Sequence, residues 1–209
     1  PSIHSQKDIS VRDARRGFKY LGETYQNDKR GISYRNDGSI LFRHESDAYN
    51  HMWNNANNLY KVPRNPQGKE VGGFLLSNGN VLVLPDYNND SRTTKISGYG
   101  YKIGHHTVSK GNVVYSVVAQ IHTHQDTSGD PTPSYYSPNG PYDGKLAENM
   151  RIPVFVLGHD NNVTGILQNK KHQAFIEDLP KPFNKVSTFL KANTSFFSYV
   201  AKNTWSLKE

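Results

Sequence analysis

The chain has 209 residues, a formal charge of +7 and no cysteine, which excludes a disulfide framework, a thiolate nucleophile and any cysteine-ligated metal site. Its length suits one domain with a real core; no run approaches the roughly 18 apolar residues of a membrane span, and no signal peptide opens it. The Lys and Arg residues are scattered, with Arg15-Arg16 and Lys170-Lys171 as the densest pairs, so binding to nucleic acid is not expected.

The first residue is Pro1, which reads as a processed form or a piece of something larger. Residues 1 to about 30 are polar and aperiodic and read as an arm or linker. Gly31 to Phe42 reads as a hairpin, with Asn36-Asp37-Gly38 as the turn. Ser46 reads as the N-cap of a helix running to about Tyr60, because Tyr49, Met52, Trp53, Ala56 and Leu59 recur at three- and four-residue spacing. Pro63 and Pro66 end it.

In the centre, Glu70 to Leu76 and Asn80 to Leu84 flank Asn78-Gly79, a strong hairpin signal. A polar loop follows, then Asn112 to His124, whose β-branched density marks a buried strand. The stretch from Gln125 to about Tyr142 is loop, and a short helix is predicted from Asp143 to Met150. Ile152 to Leu157 and Val163 to Leu167 form a further hairpin around Asp160-Asn161-Asn162. Phe183, Val186, Phe189 and Leu190 predict a C-terminal helix after Pro182. The pattern is one α+β domain. Its parts are an arm, hairpin and helix over 1–67, a core over 68–170 and a helical extension over 171–209.

Chemistry concentrates at His122-Thr123-His124. Residues two apart on a strand share a face, so both imidazoles emerge side by side where apolar strand gives way to loop. A catalytic zinc site takes three protein ligands and keeps its fourth position for water. Asp126, Asp130 and Asp143 are the downstream carboxylates that can complete the set. Asp143 is favoured because it opens a helix that fixes its backbone. Glu70, at the head of its strand, is a candidate general base, although most such glutamates are surface residues.

Taken together, Glu70 before Gly72-Gly73, then His122 and His124, then Ser137 and Asp143 resemble the JAB/MPN/JAMM metalloprotease family over about residues 68 to 167. More narrowly, Tyr49 to Asn55, Lys69 to Leu75 and Val81 to Asp86 resemble the JAB-like toxin domains of bacterial polymorphic secreted proteins. The resemblance implies an MPN/JAMM-like (cytidine-deaminase-like) mixed sheet flanked by helices. It implies Zn2+ on His122, His124 and Asp143, Glu70 as base, and a serine that hydrogen-bonds the tetrahedral oxyanion. Here the pattern departs: Gly140 stands where the family has its serine, and Gln125 where a proline commonly follows. Ser137 or Ser134 would then have to fold back into the serine's place, or backbone N–H groups would do its work.

The implied function is a zinc peptidase or isopeptidase acting on a protein or peptide. It would be delivered as a secreted effector domain, with an immunity protein as its partner. The alternatives are an inactive MPN-like scaffold, which would normally have lost the histidines or the glutamate, and, less favoured, an enzyme acting on nucleic acid. The other histidines have plainer readings: His105-His106 in a loop, His159 in a solvated turn, and His44 and His51 in packing or capping.

Overall fold

The computed structural model describes residues 24–27, 31–134, 142–166 and 174–175. They form a mixed α+β structure built on one large, mostly antiparallel sheet. Its strands are β1 (Thr24–Asn27), β2 (Ile32–Arg35), β3 (Ile40–Phe42), β4 (Gly72–Leu76), β5 (Val81–Val83), β6 (Lys102–Gly104), β7 (Thr107–Lys110), β8 (Val113–His124), β9 (Val154–Gly158), β10 (Val163–Ile166) and β11 (Ala174–Phe175). The order across the sheet is β1-β2-β3-β5-β4-β8-β9-β10-β11, and β6 and β7 branch from the first part of β8. Two α-helices among the described residues accompany it, α1 (Glu45–Asn54) and α2 (Asp143–Met150). No helix among the described residues is long and apolar enough to cross a membrane.

The twelve-residue β8 organises the fold. Its first part pairs with β7, and its second part lies between β4, antiparallel, and β9, parallel. A parallel neighbour cannot be reached by a tight turn, so the chain from Gln125 to Pro153 crosses over, carrying α2. The β4–β5 hairpin turns at Asn78-Gly79, where Gly79 takes φ +88°. The hairpin of β2 and β3 turns at Asn36-Asp37-Gly38 and joins the core sheet because β3 pairs with β5.

Alternation in β4 and β5 sends side chains to both faces, and both are covered. On one face Leu75, Val81, Val83 and Ile121 pack with Ala48, Tyr49 and Met52 of α1. On the other, Phe74 and Leu82 pack with Tyr99, Tyr101, Met150 and Ile152.

Five expectations are corrected. The N-cap of α1 is His44, not Ser46. Starting at Glu45 puts its carboxylate one turn from Tyr49, whose buried hydroxyl donates to it at 2.7 Å. The helix does not stay α-helical to Tyr60 but widens into a π turn over Asn55–Leu59, with Tyr60 N–H donating to the Asn55 carbonyl. Part of the expected N-terminal arm, Thr24–Asn27, is strand paired with β2, and part of the expected polar loop before β8 is the β6–β7 hairpin. His105 and His106 form that hairpin's turn, with His106 at φ +55°. Ala174–Phe175, in the segment expected to be helical, pairs with β10; the helix expected over 183–190 lies outside the described residues.

Gly68, two residues before Glu70, is held at φ +68°, and a Cβ there would lie 2.4 Å from the Ala56 carbonyl oxygen of the π turn. Gly68→Ala therefore combines a left-handed backbone with a clash against main chain. It is expected to cost about 2 kcal/mol or more, seen as a fall in Tm of several degrees in a thermal melt.

Candidate metal centre

Period two on β8 places Gln120, His122 and His124 on one face and Ile121 and Thr123 on the other. Thr123 ties the strand to the segment that carries Glu70: its N–H donates to the Val71 carbonyl, and its hydroxyl oxygen accepts from the Val71 N–H, each at 3.0 Å. Glu70 is held further by its N–H on the Asp90 carbonyl at 2.8 Å and by the Asn89 amide donating to its carbonyl at 2.9 Å. Gly72 stands opposite His122 in the ladder, where a Cβ would lie 2.9 Å from Thr94 and 3.5 Å from the Gln120 amide. That crowding accounts for a glycine just after Glu70.

The imidazoles are oriented by their outer nitrogens. His122 Nδ1 lies 2.8 Å from Gln120 Oε1, and the Gln120 amide nitrogen donates to the Ile121 carbonyl, which fixes Oε1 toward the ring. His124 Nδ1 lies 2.9 Å from the Asp130 carbonyl oxygen. Both partners are acceptors, so both Nδ1 atoms carry hydrogen and both Nε2 atoms are left to face the cluster, as a metal ligand requires once any proton there is displaced. These two Nε2 atoms are only 3.1 Å apart. Lone pairs at that distance repel unless a proton or a cation lies between them. Two nitrogens on one tetrahedral ion, at about 2.0–2.1 Å each, would sit about 3.3 Å apart.

The carboxylates converge on the same point. Asp143 brings Oδ1 to 3.1 Å from His122 Nε2 and Oδ2 to 3.7 Å from His124 Nε2, and Glu70 Oε1 lies 3.7 Å from His124 Nε2. Ligand atoms of Glu70, His122 and His124 all lie within 4.8 Å of one another, so this group could hold a metal ion. Glu70 and His122 are buried, while His124 and Asp143 reach the surface at 15% and 13% side-chain exposure.

Burial works against charge throughout this cluster, and the charges settle unevenly. Burial pushes the Glu70 carboxyl up to about 8, reinforced by Asp143 and only partly countered by His122. Burial likewise opposes charge on His122, but Asp143 and Glu70 overcome it and raise its pKa to about 9. His124 is lowered to about 4, by burial and then by the neighbouring His122. Asp143 stays well below the ordinary carboxylate range, because His122 outweighs the cost of its burial. Without metal and near pH 7, Glu70 and His122 thus each hold a proton, among the atoms where a cation would sit.

Of the carboxylates weighed from the sequence, Asp143 alone faces both histidines. Asp126 is turned away into an ion pair with Arg92 at 3.0 Å, and the Asp130 carboxylate accepts from the Thr132 hydroxyl and N–H. Ser137 lies outside the described residues. Ser134 is bound to Asp143 reciprocally: its N–H and hydroxyl donate to Asp143 Oδ2 at 2.7 and 3.0 Å, and its Oγ accepts from the Asp143 N–H at 3.1 Å. Its carbonyl also accepts from Gly144 N–H, so two orphan amides at the start of α2 are satisfied. That hydroxyl proton is committed to holding the carboxylate. Ser134→Ala is expected to weaken metal binding about 10-fold, within the range for lost outer partners, as read by competition with a chelating dye.

Three supporting residues escaped the sequence reading: Gln120, the Asp130 carbonyl, and Gln125. The Gln125 amide donates to the carbonyls of Gln67 and Ser91 at 3.0 and 2.9 Å, clamping the segments that precede Glu70 and Arg92. A polar residue two before His122 in an otherwise apolar strand was the available signal for Gln120. His159, expected in solvent, is half-buried with Nε2 donating to the Gly129 carbonyl at 2.9 Å.

The centre opens into a cleft of about 1070 Å³ between the 92–98 segment and the β6–α2 side. Compared with protein-family models, curated proteins and solved structures, the chain matches none.

Proposed function

We propose that this chain is a zinc-dependent hydrolase of the JAB/MPN/JAMM type that cleaves a peptide or isopeptide bond. The reading rests on one observation: His122 and His124 turn their Nε2 atoms toward one another at 3.1 Å, with Asp143 against both and Glu70 at 3.7 Å. Two imidazoles and a carboxylate, with no cysteine in the chain, make the kind of three-ligand set that leaves a catalytic zinc position open.

His122, His124 and Asp143 would hold the ion, with Gln120, the Asp130 carbonyl and Ser134 fixing their directions. Zinc, when bound, lowers the pKa of a water toward neutrality and polarises a carbonyl. Glu70 stands beside the ligands without being needed to complete the set. As a carboxylate it accepts the proton of the attacking water at Oε1 and returns it to the departing amine. Its burial keeps bulk water from competing for that proton. The products are a carboxylate and an amine. Delivery as a secreted effector, with an immunity protein as partner, belongs to the same proposal through the toxin-domain resemblance.

The test is zinc content and hydrolysis together. Protein purified without chelator is expected to carry about one zinc per chain by elemental analysis. It should hydrolyse members of a peptide library, lose that activity on removal of zinc with phenanthroline, and regain it when zinc is returned. Full zinc loading with no hydrolysis of peptide or isopeptide substrates would overturn the reading.

A further inference from the structure

The lining of the cleft in front of the metal centre places its cations away from the centre itself. Arg92, Lys95 and Lys102 line the cleft, while its only carboxylates among the described residues are Glu70 and Asp143 at the centre itself. A divalent ion would offset those two; of the three cations, Arg92 faces Asp126 and Lys95 faces Asp90 from just outside the lining, which leaves Lys102 as the one without an ion pair among the described residues. In a partly enclosed cleft the field of such a charge is focused rather than dispersed.

The three cations are not equivalent. Lys95 faces Asp90 at 3.4 Å on an exposed surface, so its charge is largely answered and screened. Arg92 is anchored: Nε donates to Asp126 and one terminal nitrogen to Ser128, each at 3.0 Å. That leaves further guanidinium donors on a side chain that is 62% exposed. Lys102 is exposed on β6, beside the helix that begins at Asp143, and makes no ion pair among the described residues. Between these charges the wall mixes the aliphatic Ile96, Ile103 and Leu146 with Thr93, Thr94 and Tyr142. The Tyr101 hydroxyl is already spent on Asp37 at 2.7 Å. An anchored guanidinium at Arg92 and an unpaired ammonium at Lys102, beside aliphatic groups, suit a polypeptide whose carboxylates can pair with both.

We propose that the substrate is an acidic polypeptide segment, with an Asp or Glu side chain flanking the scissile bond, and that Lys102 and Arg92 are the residues that select it. This rests on the hydrolase reading and sharpens it, since a segment with basic flanks is disfavoured by like charge.

The experiment uses the zinc-loaded full chain on a library of proteome-derived peptides, with cleavage sites read by mass spectrometry. Wild type is expected to enrich Asp and Glu near the cut. Lys102→Glu should lose that enrichment, with kcat/KM on an acid-flanked peptide falling roughly 5-fold, mainly through KM. Lys102 is exposed, so an unchanged melting profile is the folding control. In parallel, zinc-loaded Glu70→Gln is titrated by fluorescence anisotropy with an acid-flanked peptide, its lysine-flanked counterpart and a single-stranded oligonucleotide.

Cleavage without acid enrichment, or enrichment indifferent to Lys102→Glu, overturns the proposal and leaves the hydrolase reading standing. Absence of all cleavage, with acid-preferring binding that Lys102→Glu abolishes, supports the cleft assignment and counts against the hydrolase. Charge-blind binding, or binding of the oligonucleotide in place of the acidic peptide, overturns the proposal.

Discussion

Glu70→Gln is expected to leave zinc in place while lowering kcat by about 10²–10⁴-fold, the range for a positioned general base. The substitution keeps the size of the side chain, and the backbone around it is held by Asp90, Asn89 and Thr123 rather than by the carboxylate. What it removes is the ability to take a proton 3.7 Å from His124 Nε2. Metal content distinguishes this role from its rival, because Glu70 also lies within ligand range of both histidines. Loss of zinc in the glutamine variant would make Glu70 a ligand and sink its assignment as base.

A second readout needs no substrate. Burial raises the Glu70 carboxyl from 4.5 to about 8 in the folded, metal-free chain. The folded state therefore holds that proton more tightly than the unfolded state. Its contribution favours folding below about pH 4.5 and is lost as pH rises through 8. Glutamine has no proton to lose, so in chelator the variant should gain in Tm relative to wild type between pH 5 and 8. A constant difference across that range would contradict the burial argument.

His122→Ala is expected to abolish metal binding, with affinity falling by more than about 100-fold, beyond the cost of losing an outer-shell partner. His122 is buried, contacts Asp143 at 3.1 Å and meets His124 at 3.1 Å, so its removal takes away both a proposed ligand and the cation that balances Asp143. Because its pKa is raised to about 9, His122 carries a proton at neutral pH that the ion must displace. Zinc loading near pH 7 should thus release about one proton or more, measured by calorimetry in buffers of different ionisation enthalpy. Apparent affinity should climb as pH rises toward 9. Uptake with no proton release, or one zinc per chain in His122→Ala, would place the metal elsewhere.

Much of this arrangement was legible because it is local. The Asn78-Gly79 turn, the β-branched run into His122 and the helix opening at Asp143 are each written in a few adjacent residues. The β6–β7 hairpin was not, since Val108 is its single buried side chain and it leaves no apolar period to read. Thr24–Asn27 is likewise polar and takes strand form through β2 rather than through its own propensity. The cap of α1 was misplaced because the Glu45–Tyr49 contact outranks the serine's preference. Gln125 looked like a departure from a family pattern and proves to be a clamp between two distant segments, a role that no spacing records.

The crossover from β8 to β9 would give the proposed ion a mechanical meaning. His122 and His124 lie at its start and Asp143 at the head of its helix, while Glu70 comes from another part of the sheet. In a chain with no cysteine, a cation gripped by these groups is a cross-link, closing the crossover as a disulfide would but reversibly. Its strength is set by supply: each tenfold rise in free metal above Kd adds about 1.4 kcal/mol to the folded state. On the proposed reading, a compartment poor in zinc would remove the activity and loosen the fold in one step.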